Sequence, residues 1–356
     1  TEANAWGTFV ISICYKQIKI YSFRPLQRRI ICKHPGLSAE KLRAYTGMNF
    51  QQLRIIRETV RHRFNLTEAA NVLFTSQSGV SKHIRDLEEE LGVEIFVRHG
   101  KRLLGLTEPG KEVFKIVERM LVDADNLSRV VADFAEGEDG VLRVATTHTQ
   151  ARYTLPPVIA RFKTAFPKVR LNLQQASPKD LPGILLEGDA DIAIATDTLE
   201  DHTGILAFPY HTWDHAIVVP RGHALTKEKP LTLAAIAEWP LITYDDGLTG
   251  RRRIDEAFEA AGLTPDISIT ALDADVIKAY AELEMGVGII ASVAYDREYD
   301  RKLVKLSADD LFRPSTSSIA IRRGRLLRRY AYRFIEHCNP LVTEDVIRAS
   351  DNSVAE

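Results

Sequence analysis

The chain carries two sets of polar side chains whose types and spacing could do chemistry. The first is Ser76, Gln77, Ser78, Ser81, Lys82 and Arg85, beside an apolar series at Val80, Ile84, Leu87 and Leu91 that repeats at 4-3-4. Such a helix has one edge that packs inward and one polar face that does not. A glutamine amide pairs with adenine edges, and a lysine with guanine O6/N7 or a phosphate. Hydroxyls and free amide groups at a helix N-terminus suit a phosphate oxygen. Glu88, Glu89 and Glu90 fill the C-terminal half, where phosphate would be repelled. Only the N-terminal half is therefore expected to enter a major groove. Arg98, Lys101 and Arg102 follow around a glycine turn and are expected to hold backbone phosphates. The plainer alternative is a solvated polar face. Residues 48–110 hold nine Lys/Arg against eight Asp/Glu, so arrangement rather than total charge carries the reading.

The second set is Thr147, Thr149, Gln150, Thr196 and Thr249. Each stands where a strand-like run ends or a helical run begins. In open α/β sheets that is where ligands lie, beside unpaired helix N–H groups. Neutral hydroxyl and amide donors there could hold a small oxyanion without a buried lysine. Taken singly, each threonine could simply cap its helix; four of them with Gln150 around one cleft point to a site. Arg251, Arg252 and Arg253, with His202 and His211, are expected to add positive potential and favour a more highly charged ligand.

Other patterns carry no such weight. His211 and His215 with Asp214 mimic a metal pair but lie between strands, so no metal is expected. Gly286-Val-Gly288 follows a helix and feeds a strand, the wrong order for a phosphate cradle. Cys338 has no adjacent base and reads as an inert thiol. No catalytic residues and no cofactor are expected. The arginines from Arg322 to Arg333 flank a buried stripe at Leu326, Leu327, Tyr330, Phe334 and Ile335, and read as a solvated basic face.

These residues need elements to position them. Phe50, Leu53, Ile56, Val60 and Phe64 give a first amphipathic helix. Leu66, Ala69, Ala70 and Leu73 give a second, with Thr67 placed to cap it. After the break at FTSQSG a third helix runs to Gly92, a glycine past a helix end. VEIFVRHGKRLLGLTEPG alternates as a small β wing. Val113, Val117, Met120, Ala124, Leu127, Val131 and Phe134 then form a heptad seam, the period of two supercoiling helices. GEDG at 137–140 reads as a hinge. From Val141 onward short strands alternate with helices, implying α/β subdomains in two lobes with a cleft between them.

The chain has 356 residues, 45% apolar and 27% charged, which suits a globular protein of two or three domains. No apolar run reaches the roughly 20 residues of a membrane span. Residues 1–47 carry +6 and the remainder −7. Cys14 and Cys32 lie in that first segment, leaving Cys338 alone in the body, as in a reducing cytoplasm. Met48 opens a clean helical period, so residues 1–47 read as an extension, disordered or translated from upstream. A basic arm on DNA is the rival.

LTEAANVLFTSQSGVSKHIRDLEEELGVEIFVRHGKRLLGLTEPG resembles the winged helix-turn-helix of LysR-type transcriptional regulators. ATTHTQARYTLPPVI, DIAIATDTL, TGRRRIDEAF and LDADVIKAYAELEMGVGIIAS resemble the CysB-like subgroup. The resemblance implies an α/β chain with an N-terminal winged helix-turn-helix over 48–107 and a dimerisation linker helix and hinge over 108–140. A two-lobed effector domain like a periplasmic binding protein would follow over 141–340, with lobe I at 141–210 and 313–340, lobe II at 211–312, and a tail at 341–356. It further implies a cytoplasmic homodimer or homotetramer on double-stranded promoter DNA, with RNA polymerase as a possible partner. It would regulate sulfur assimilation in response to N-acetylserine, sulfate, adenosine phosphosulfate or a similar anion. A two-lobed solute-binding protein is the alternative, disfavoured by the missing export signal and the DNA-binding front end.

Overall fold

A computed structural model describes residues 47–100, 102–136 and 139–352, without the side chains of 132–136 and 352. The extension and its charge therefore lie outside the described residues, as do Lys101 and part of the expected hinge. From Asn49 onward the chain forms one compact unit.

Helix α1 (Phe50–Arg61) opens on a capping box. The Asn49 side chain accepts from the Gln52 N–H at 3.1 Å, and the Gln52 side chain accepts from the Asn49 N–H at 2.9 Å. Phe50 is exposed, so the buried face starts at Leu53, with Ile55 and Ile56. Helix α2 (Leu66–Val72) is capped by Asn65, whose side chain accepts from the N–H groups of Thr67 and Glu68. The cap thus sits two residues before the threonine that the sequence favours. Helix α3 (Gln77–Leu91) ends on Gly92 at φ 68, the left-handed conformation that glycine adopts without strain. Val80, Ile84 and Leu87 are buried, whereas Leu91 at the fraying end is exposed. Strands β1 (Phe96–His99) and β2 (Arg102–Leu106) pair antiparallel as the wing.

Helix α4 (Glu108–Glu136) has 29 residues, about 43 Å of rise. Its seam divides. Val113, Val117, Met120 and Leu121 pack into the same core as Ile56, Ile84 and Phe96, so the first half serves its own domain. Leu127, Val130 and Val131 are exposed. The seam's second half alone therefore keeps an unfilled apolar edge.

Two five-stranded sheets follow. The first has the order β4 (Val169–Gln175), β3 (Gly140–Thr146), β5 (Ile192–Thr196), β12 (Ser315–Arg322), β6 (Ile205–Trp213). Its strands alternate at period two. Leu142, Val144, Ile192 and Ile194 face α5 (Leu155–Ala165) and α10 (Arg329–Cys338), while Ala145, Ala193 and Ala195 face α6 (Leu181–Glu187). The small residues let α6 approach closely. The second sheet has the order β11 (Leu303–Ser307), β7 (His215–Pro220), β10 (Val287–Ala291), β8 (Leu241–Tyr244), β9 (Ile267–Ala271). It is covered by α8 (Thr249–Ala260) and α9 (Ala274–Glu282), after the short α7 (Leu233–Ala237). Gly288 lies in β10, where a Cβ would stand 2.6 Å from Val218 Cγ2, so close strand packing explains that glycine. A last helix, α11 (Glu344–Asn352), closes the described chain.

The basic face expected from Arg322 to Arg333 divides: Arg329 and Arg333 are exposed, but Arg322 and Arg325 are not part of a solvated face. Arg322 bonds Glu118 of α4 at 2.5 Å, and Arg325 bonds Asp191 at 3.1 Å. Asp191 also holds Arg129 of α4 at 3.1 Å. Their side chains are only 12% and 10% exposed, so these cations are interior ties between α4 and the first sheet. Leu327, Tyr330, Phe334 and Ile335 form the buried stripe beside them.

Candidate functional site

The turn before α3 gives the first site its form. Ser76 is the N-cap: its Oγ accepts the Gly79 N–H at 3.1 Å and lies 3.1 Å from Ser78 Oγ. Gln77, Ser78, Lys82, Arg85 and Arg102 are exposed, with Ser81 half-buried between them. Arg85 Nε donates to the Ser81 carbonyl one turn back, which lays its guanidinium along the helix. The six α3 residues thus share one outward surface. Arg98 departs from expectation, because it donates to Glu88 Oε2 at 2.6 Å. Glu88 is itself buried, and its Oε1 accepts the N–H groups of Ile95 at 2.9 Å and Phe96 at 3.1 Å. This carboxylate pins the wing to α3, a structural task the sequence pattern did not reveal.

The second set converges. Thr147, Thr149, Gln150, Thr196 and Thr249 all line one cleft between the two sheets. Thr147 follows β3, and Gln150 begins a π-helical turn (Gln150–Thr154) that leads into α5. Gln150 Nε2 donates to Ser317 Oγ at 2.6 Å, and its Oε1 accepts from Thr154 Oγ1 at 2.6 Å. Thr196 Oγ1 lies 2.9 Å from the same Ser317 hydroxyl and accepts from Trp213 Nε1 at 3.3 Å. Across the cleft Thr249 Oγ1 donates to the Thr196 carbonyl at 3.0 Å, joining the lobes. Thr249 also opens α8, whose Leu248 N-cap offers no side-chain bond. The N–H groups of Thr249 and Gly250 thus lack intrahelical partners, while that of Arg251 bonds the Leu248 carbonyl at 3.1 Å.

Sequence reasoning missed four contributors. His148, Trp213 and Tyr244 line the cleft. Ser317, buried in β12, joins Gln150 to Thr196. His148 was legible inside THTQ; Ser317 was not, because only strand pairing places β12 against β5. Below the cleft floor His215 is 1% exposed, with Nε2–H donating to the Gly250 carbonyl at 3.1 Å. Burial pushes its pKa down to about 4, against the Gly250 bond that raises it, so the ring is neutral. Cys338 has its thiol pushed up to about 12 by burial, as an inert thiol should.

The expected extra positive potential is cancelled. Arg251 pairs with Asp246 at 3.0 Å and Asp255 at 2.7 Å, and Arg253 with Asp197 at 3.1 Å. Arg252 faces Asp197 and Glu256. None of the three, nor His202 or His211, lines the cleft. A second bridge between the lobes stands beside it. The Tyr153 hydroxyl donates to Asp275 at 2.5 Å, and Lys278 reaches the Tyr153 oxygen at 3.2 Å and Asp300 at 3.1 Å. Burial first, then Asp275, pushes the Tyr153 phenol upward. Burial alone would raise Asp275, but Tyr153 and Lys278 outweigh it and hold the carboxyl below its usual range.

A helix-turn-helix ahead of a two-lobed ligand cleft narrows the possibilities, and comparison with known proteins closes them. Residues 50–111 match the family "Bacterial regulatory helix-turn-helix protein, lysR family", and residues 135–341 match "LysR substrate binding domain". The chain belongs to the LysR family of transcriptional regulators. Its similarity to the regulator SsuR of Burkholderia cenocepacia is 56% identity over 297 residues, 83% of this chain and 96% of that protein. To the regulator CysB of the same organism it is 48% over 309 residues, 87% of this chain and 99% of that one. The crystal structure of the cofactor-binding domain of the Cbl transcriptional regulator superposes with a TM-score of 0.59 at 44% identity. That match covers 61% of this chain and 95% of that one. The CysB-like resemblance read from the sequence is thereby confirmed. Like its family, this LysR regulator binds DNA and a small-molecule effector, and it oligomerises. Among the described residues no helix is long and apolar enough to cross a membrane.

Proposed function

We propose that this regulator controls sulfur-assimilation genes from the cytoplasm, as a homodimer or homotetramer. Its switch is a small sulfur-pathway anion held by Thr147, Thr149, Gln150, Thr196 and Thr249. One observation carries the reading: four threonines and Gln150 meet in a cleft whose lining, among the described residues, includes no lysine or arginine. Hydrogen bonds select an oxyanion by shape there, whereas a buried cation would accept any anion. The lining also includes Trp213, Tyr244, Leu248 and Leu272, apolar surface that bare sulfate would not use. This supports an anion with an organic body, such as N-acetylserine or adenosine phosphosulfate, over sulfate alone. On the DNA side Gln77, Ser78 and Lys82 read the major groove, Ser76 and Ser81 hold the helix end at phosphate, and Arg85 and Arg102 flank it. An altered DNA bend or a polymerase contact transmits the signal.

Calorimetric titration of the full-length chain with N-acetylserine, sulfate and adenosine phosphosulfate tests this. One organic anion should bind, and Ser317→Ala should weaken it about tenfold by releasing Gln150 and Thr196 from their places. Indifference to all three anions would sink the proposal.

A further inference from the structure

Phe74 stands in the turn between α2 and α3 and is 98% exposed. Its backbone is left-handed, at φ 52. The Thr75 N–H reaches the Ala70 carbonyl at 3.0 Å and the Phe74 N–H reaches Asn71 at 3.2 Å. That is the double bond pattern of a helix end whose left-handed position is ordinarily a glycine. A phenylalanine there is unfavourable twice over. Its Cβ strains the left-handed backbone, and its ring lies in water. Phe64 shows the contrast. It too is left-handed, at φ 66, but its ring packs edge-on against Phe96 in the domain core, centroids 6.2 Å apart. Packing offsets the strain at Phe64, whereas among the described residues nothing does so at Phe74.

The geometry points to Phe74 as a DNA-reading residue whose ring packs on a thymine 5-methyl group in the major groove. This rests on the docking of the α3 N-terminus proposed above. The surface is continuous with that end, since the ring lies two residues before the Ser76 cap and three before Gln77, both exposed. Base edges in the major groove are polar except for the thymine methyl, which is where an aromatic side chain gains contact.

The experiment uses the full-length chain and a duplex that it selects from a randomised pool. Phe74→Gly should unfold at or above the parent's temperature, because the strain is relieved, yet bind the duplex at least about fivefold more weakly. Replacing each thymine in turn by uracil, which lacks only the methyl, should reveal a position that weakens the parent and leaves Phe74→Gly unchanged. Weakening with no such position overturns the assignment, as does a changed oligomeric state in Phe74→Gly. Lys82→Ala separates the two readings. If it weakens binding while Phe74→Gly does not, the docking stands and the Phe74 inference falls. If neither variant affects binding, both fall.

Discussion

The proposed recognition surface and the proposed effector cleft use the same residue types under opposite conditions. On α3, Gln77, Ser78 and Lys82 are exposed, and the hydrogen bonds nearby serve the helix end. In the cleft, Gln150 and Thr196 are buried and already bonded through Ser317. A duplex is large and charged, so its affinity comes from many solvated contacts that pay little before binding. A small anion offers few contacts and must be met by donors already in place. Exposure marks one site and mutual satisfaction the other.

The comparison breaks most visibly at Glu88, the one carboxylate near α3 that behaves like a cleft residue. Glu88→Ala strips acceptors from two buried N–H groups and from Arg98. It should lower stability by about 3 kcal/mol in denaturant titration, with the wing loosened. Acid sharpens the cleft side. His215 is neutral when folded but takes up a proton near its ordinary 6.5 when unfolded. Its share of stability is therefore full above 6.5 and falls away toward about 4, by up to roughly 3 kcal/mol. A thermal-melt series over that window checks this, and His215→Gln should flatten it. The smallest effect belongs to the surface. Lys82→Ala should leave stability within about 0.5 kcal/mol. It should also lower the slope of log affinity against log salt by about one. Arg98→Ala should change that slope less, because Glu88 already faces the guanidinium.

How much was legible follows from how local each signal is. The α3 pattern was readable because helical period and a polar tip lie within one stretch. The exposure of Leu91 was not, since the periodicity that implicates it runs on to the last residue of α3, past the part of the helix that the core covers. The seam of α4 shows the same limit. Heptad spacing cannot say which partner fills it, and Val117 and Met120 turned out to fill their own domain's core. Arg251, Arg252 and Arg253 read as a positive run because Asp197, which neutralises two of them, lies more than fifty residues away in sequence.

Local pattern in the chain was enough for the order of elements, the polar tip of α3 and the four threonines and Gln150 at element ends. Those follow from short-range periodicity and from the chemistry of single side chains. Folding in three dimensions settled which charges are cancelled, that Ser317 joins Gln150 to Thr196, and that Phe74 stands in solvent. Each depends on a distance between residues far apart in the chain or on a backbone dihedral, and neither quantity is written in local composition.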